Sequence, residues 1–187
     1  MMILEFNEVL IEGEEQTLSL MAKAGEVTCL TGANVGRRSR WLSTILGFVN
    51  VTHGYISIDC EPLTECSATF FRQFIAYAPA SLEQIGEVTP YEPPSVQDVF
   101  SLKANRNLSI SNGILSEEIR KVNVNAEDSR VRLLAVAVLL GKPILVVDNP
   151  PAGSGEYLKR QAHKNRIVIV ASDEPSILEF SDHIVEI

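Results

Sequence analysis

Gly25-Glu26-Val27-Thr28-Cys29-Leu30-Thr31-Gly32-Ala33-Asn34-Val35-Gly36-Arg37-Arg38-Ser39-Arg40 reads as a strand, a tight turn and the start of a helix. Val27, Cys29 and Leu30 are short and apolar, as a buried strand requires. Gly32 and Gly36 bracket the turn, where a backbone without Cβ can take left-handed angles. Trp41, Leu42, Ile45 and Leu46 then recur at helical spacing, predicting a helix over about 38–47. Free N–H groups at such a helix start, together with the helix dipole, make a cradle for an anion.

A nucleotide-binding P-loop reads G-x-x-x-x-G-K-[ST]. Counted from Gly32, Arg37 stands at the second Gly and Arg38 at the Lys. Ser39 keeps the hydroxyl that would meet Mg²⁺. The stretch reads as a P-loop with altered chemistry. The alternative is an ordinary strand-turn-helix without a ligand, and the order of the downstream segments favours the first reading.

The 187 residues suffice for one domain with a real core. Hydrophobic residues make up 45% and charged ones 21%, a globular composition. A net charge of −8 argues against a nucleic-acid binder, which needs a basic face, and against a polybasic membrane anchor. Arg37, Arg38 and Arg40 are a local exception. Cys29, Cys60 and Cys66 form no C-x-x-C pair and read as reduced thiols. The N-terminus lacks the basic start and apolar core of a signal peptide. The apolar region Leu133 to Val147 is broken by Gly141-Lys142-Pro143, so it is not a membrane span. These features predict a cytoplasmic protein whose membrane contact goes through a partner.

Along the chain, residues 2–11 and 18–22 alternate and predict two strands that pair as a hairpin against the strand leading to Gly32. Val9-Leu10-Ile11 breaks the strict alternation. His53-Gly54 reads as a turn before a strand at Tyr55, Ile56 and Ile58. Thr69 to Phe74 suggests a short helix, and Ile75 to Ala78 a short strand stopped by Pro79. Residues 81–94, with Pro90, Pro93 and Pro94, read as a loop. Ser95 then caps a helix, and Ser116 caps another containing Ile119 and Val122. Arg130 to Leu140 is strongly helical. Ile144 to Asp148 and Ile167 to Ala171 are fully buried strands, with short helices at Tyr157 to Lys164 and Pro175 to Phe180 and a last strand from His183. Buried strands alternating with helices predict an α/β fold with a parallel sheet covered on both faces, beside an antiparallel layer. The paired acids Glu14-Glu15 and Glu117-Glu118 read as solvated faces, and His53, His163 and His183 as scattered surface residues.

The run Ile144-Leu145-Val146-Val147-Asp148-Asn149-Pro150-Pro151-Ala152-Gly153 is similar to the second nucleotide-binding motif of ABC-type ATPases: apolar strand, Asp, Glu, Pro, small-residue turn. Leu18-Ser19-Leu20 to Gly25-Glu26, Leu46-Gly47 with His53-Gly54-Tyr55-Ile56, Phe74 to Pro79, and Arg130 through Pro143 resemble that family in register. The resemblance covers nearly the whole chain and rests on order and spacing. It implies one ABC-type nucleotide-binding domain over residues 1–187: a P-loop fold with a mixed, mainly parallel sheet, an N-terminal antiparallel β layer and a helical lobe at about 81–128.

By that resemblance, nucleotide would meet Gly32, Asn34, Gly36, Arg37, Arg38, Ser39 and Arg40, and Ser39 and Asp148 would hold Mg²⁺. The departures define what the chain can do. Arg38 replaces the Lys, and its planar fork is larger than an ammonium. The catalytic Glu falls on Asn149, an amide that can hold a water but cannot take its proton. The γ-phosphate-sensing Gln falls on Ala80 and the switch His on Ser172. The signature segment falls on Asn123-Val124-Asn125-Ala126-Glu127, where only Glu127 matches. Gly155 stands where an Asp is usual in the turn after the second motif. No aromatic lies between Asn7 and Gly32 to stack on adenine.

The resemblance therefore implies a degenerate ATP-binding subunit of an ABC-type transporter, with weak ATP and Mg²⁺ binding and impaired or absent hydrolysis. Its partners would be a membrane-spanning subunit and a second ATP-binding subunit, with a homodimer as another possibility and no nucleic acid. A slow but genuine ATPase working with a partner, and an interaction module that uses the fold without nucleotide, are the alternatives.

Overall fold

The computed structural model describes residues 2–81, 105, 108, 110–122, 124 and 128–187. The predicted loop at 81–94, the helix expected from Ser95 and much of the expected helical lobe lie outside these residues. So does the signature segment, apart from Val124.

Strands β1 (Ile3–Ile11), β2 (Leu18–Lys23), β4 (Val51–Ile58) and β5 (Glu61–Pro62) form one antiparallel sheet in the order β2-β1-β4-β5. Strands β3 (Val27–Thr31), β6 (Ile75–Ala78), β7 (Ile144–Asp148), β8 (Ile167–Ala171) and β9 (His183–Glu186) form a parallel sheet in the order β6-β7-β8-β3-β9. Helices α1 (Val35–Ile45), α2 (Ala68–Phe71), α3 (Asn112–Val122), α4 (Ser129–Leu139), α5 (Gly155–Ala162) and α6 (Pro175–Leu178) connect them. The hairpin predicted to pair with the strand leading to Gly32 pairs instead with β4, in the separate sheet. Its alternating pattern has one wet face, which suits the outer layer. β3 is buried on both faces and needs neighbours of its own kind.

β1 buries Leu4, Phe6, Val9 and Ile11, and its alternation slips at Glu8, whose φ is +47°. The slip is a β-bulge, and Gly54 of β4 lies opposite it with φ +73°. A Cβ at Gly54 would stand 2.2 Å from the Asn7 carbonyl oxygen, so only glycine fits. His53-Gly54 is thus an irregularity inside β4, not the expected turn. α1 starts at Val35, with Asn34 as its cap, so Gly36 is helical and does not bracket the turn. Gly32 alone takes the left-handed angle there, at φ +95°. α3 also starts early, and Ser116 sits inside it, bonding back to the Asn112 carbonyl.

The parallel sheet is covered on both faces. Leu30, Ile144, Val146, Ile167 and Ile169 face α1 and the antiparallel sheet. Trp41 of α1 meets Phe6 of β1 edge-on, with ring centroids 6.4 Å apart. Cys29, Leu145, Val147, Val168 and Val170 face the other way, against Leu134 and Val138 of α4 and Leu158 of α5. Alternation along each strand thus fills two cores. Among the described residues no helix is long and apolar enough to cross a membrane.

Candidate functional site

The parallel register brings the carboxyl ends of β3, β6, β7 and β8 to one edge, where open α/β sheets bind ligands. Leu30 pairs with Ala171, Ala171 with Asp148, and Val147 with Ala78. The loop after Thr31, Ala80, Asn149 and Ser172 therefore all follow neighbouring strand ends. These positions share one edge of the parallel sheet.

The loop after β3 is shaped by Asn34, whose side-chain oxygen accepts the Arg37 N–H at 2.9 Å and caps α1. The three arginines then diverge. Arg37 turns outward and donates its Nε to Glu14 at 2.8 Å, which holds its guanidinium above the ordinary basicity. Arg40 lies against Gly13, in the same β1–β2 loop. Arg38 turns inward, is only 4% exposed, and pairs with Asp173. The same Nη1 donates to the Ala33 carbonyl. Glu14 is therefore an ion-pair partner with a covered side chain and not the solvated face expected of it. Glu118 departs from expectation in the same way: it is buried and accepts the Tyr157 hydroxyl at 2.6 Å.

Asp173 follows the buried Ser172 and carries no motif of its own in the sequence. Its Oδ1 accepts the Gly32 N–H at 2.9 Å and the Thr31 hydroxyl at 2.7 Å, and its Oδ2 faces Arg38. The Gly32 N–H, then the Thr31 hydroxyl and Arg38, hold its carboxyl below the usual range. An acid just past a buried strand, with an arginine at the Lys position of the neighbouring loop, was the available signal.

Asp148 ends β7 and is 2% exposed. Burial pushes its carboxyl up, the largest effect on it. The Tyr77 hydroxyl donates to Oδ2 at 3.3 Å. Oδ1 is buried with no hydrogen-bond partner among the described groups. The Ser39 hydroxyl donates to the Val35 carbonyl, leaving its lone pairs free. One unpartnered carboxylate oxygen beside a hydroxyl fits the protein's share of a Mg²⁺ site, where the remaining ligands are water and phosphate. Ser39 and Asp148 would hold that ion.

The water side of the site is different. Asn149 has φ +46° and its N–H is tied to the Ala171 carbonyl. Ser172 is buried, and its hydroxyl accepts the Glu174 N–H at 3.1 Å. Ala80 carries no polar side chain. None of the three is a general base at neutral pH, and only Asn149 and Ser172 carry groups that could donate a hydrogen bond. A cavity of about 650 Å³ opens beside Arg37, lined in part by Glu14, Glu15, Gln16 and Glu186, which gives it an acidic wall.

This sheet order, with a phosphate-type loop after β3 and an acid ending β7, defines a P-loop fold of the kind built by the ATP-binding subunits of ABC transporters. The chain resembles those subunits across its length. An ATP-binding subunit of an ABC transporter superposes with a TM-score of 0.72 at 18% identity, over 99% of this chain and 85% of that one. CbiO1 from Clostridium perfringens, part of the ABC transporter complex CbiONQ, gives 0.67 at 17% identity, over 98% and 83%. In sequence, the ribose import ATP-binding protein RbsA of Caldanaerobacter subterraneus subsp. tengcongensis is 21% identical over 98% of this chain. The chain spans about two fifths of that relative, 42% of its length. No family model matches.

Proposed function

We propose that the chain is a degenerate ATP-binding subunit of an ABC-type transporter, with weak nucleotide binding, impaired or absent hydrolysis and a regulatory or structural role. The carrying observation is the water side of the site. Asn149, Ser172 and Ala80 follow the strand ends around Asp148 and supply no general base to take a proton from water. Positioning the attacking water and stabilising developing charge are the main tasks in phosphoryl transfer. Losing one such group costs roughly 2–4 kcal/mol of barrier. The Mg²⁺-side pair, Ser39 and Asp148, supports retained but weak binding of ATP with Mg²⁺. In this reading the chain works at the cytoplasmic face of a membrane with a membrane-spanning subunit and a second, intact ATP-binding subunit.

Phosphate release by the purified chain, with ATP and Mg²⁺, tests the reading. The expected rate equals the background without protein. Turnover that disappears in Asp148→Ala would overturn it and favour the slow ATPase.

A further inference from the structure

In a phosphate cradle the loop's N–H groups and its basic side chain wait for an anion from outside. Here one loop N–H and the basic side chain already have one. The Gly32 N–H, the Thr31 hydroxyl and the Arg38 guanidinium converge on the two oxygens of Asp173. We propose that Asp173 is an internal anion standing where a ligand phosphate would bind, and that Arg38 is the cation that answers it. The loop after β3 is thereby closed by a side-chain pair that any phosphate must displace. The proposal rests on reading this loop as a phosphate cradle and adds the device that regulates access to it.

Three features make the pair a latch. Asp173 is presented by a pinned segment: the Ser172 N–H bonds the Leu30 carbonyl, and the Glu174 N–H bonds the Ser172 hydroxyl. Its carboxylate therefore meets the loop with little ordering left to do. Arg38 is nearly buried, and its Nη1 bonds both Asp173 and the Ala33 carbonyl, so it holds the loop backbone as well as the anion. The Asp173 side chain is 52% exposed, so it can leave without disturbing the core. Glu186 packs on Gly32 from another side: a Cβ there would lie 2.8 Å from Glu186 Cγ. An entering phosphate thus meets two carboxylates at the mouth.

The closed pair leaves two buried groups unused. Arg38 Nε and Asp148 Oδ1, a donor and an acceptor, have no partner among the described residues. A closure that satisfied the whole site would leave neither. The site keeps capacity for a ligand that the internal anion does not exhaust.

The test is calorimetric titration of the full chain with inorganic tripolyphosphate, and separately with ATP and Mg²⁺. Asp173→Asn turns an amide N–H toward Arg38 and removes the ion pair. It is expected to bind tripolyphosphate roughly tenfold tighter than the parent or more, a tenfold gain being what a parent site open about one-tenth of the time would give. Adding Arg38→Ala in that background should abolish the gain. Asp173→Ala is the second variant, used if the first does not fold by circular dichroism. Affinity unchanged from the parent, or no binding by the folded variant at millimolar tripolyphosphate, overturns the latch. So does a gain that survives Arg38→Ala. Turnover by the parent chain would sink the proposed function and leave this affinity ratio to decide the latch.

Discussion

Gly155→Ala tests how closely α5 is seated on α6. A Cβ at this position would lie 2.1 Å from the Ser176 carbonyl oxygen and 2.8 Å from Phe180 Cδ2. Favourable non-bonded contacts begin near 3.5 Å, so the helices must part by about 1.4 Å. The obstacle is backbone, and no rotamer change relieves it. Overpacking of this kind costs about 1–3 kcal/mol. Replacing glycine returns about 0.4–1 kcal/mol through the stiffer unfolded chain. With so short an approach the upper part of the range applies, leaving a net loss of about 2 kcal/mol. For a chain of this size that lowers the melting temperature by roughly 4–8 °C. Thermal and urea unfolding by circular dichroism give the number. Gly113→Ala is the control: it sits on exposed helix, with its nearest neighbour, Ser111 Oγ, at 3.6 Å, and should be neutral or slightly stabilising. A Gly155→Ala protein that melts with the parent would mean that α5 and α6 are not in this contact. Gly155→Asp, which installs the acid usual in ABC-type ATPases, adds a carboxylate facing a carbonyl oxygen and should be worse.

Two further outcomes follow from ionisation. Burial raises the Asp182 carboxyl, but the Lys159 ammonium and the Val27 N–H outweigh it and leave the group below its usual range. Its stabilisation is thus full above the unfolded carboxylate value and is lost as pH falls through the lower folded one. Asp182→Asn should cost stability in urea at neutral pH, and the gap should close in acid; a constant gap would contradict this. Burial lifts the Cys29 thiol to about 11, whereas Cys60 and Cys66 are exposed. Brief alkylation of the native protein at mildly alkaline pH should add two labels by mass, and a third label at the same rate would show that β3 is not sealed.

Sequence reading was strongest where the signal is local. β6, β7 and β8 are short apolar runs ended by Pro79, Asp148 and Ser172, and their bounds were legible. α1 starts earlier than its apolar spacing implies, since Val35 and Gly36 are weak helix formers and mask the start, although Asn34 carries the cap signal. Strand pairing was less legible, since nothing in residues 2–11 says that the partner is β4 rather than β3. The site divides in the same way. The strand ends that gather Gly32, Asp148, Asn149 and Ser172 follow from order. The fate of each charge does not: Arg38 meets Asp173 and Glu118 meets Tyr157 across long separations in sequence. Acid pairs such as Glu14-Glu15 look solvated until the fold brings Arg37 to one of them.

The strand that carries the loop has β8 on one side and, on the other, only the four residues of β9, whose His183, Ile184 and Glu186 are exposed. Cys29 lies across from Ile184 in that pairing. An edge this short frays more readily than the core, and each fraying event loosens the flank of the cysteine. The silent thiol is therefore a built-in clock: its slow capture by an alkylating reagent counts the openings of β3, and whatever seats firmly in the loop will slow it.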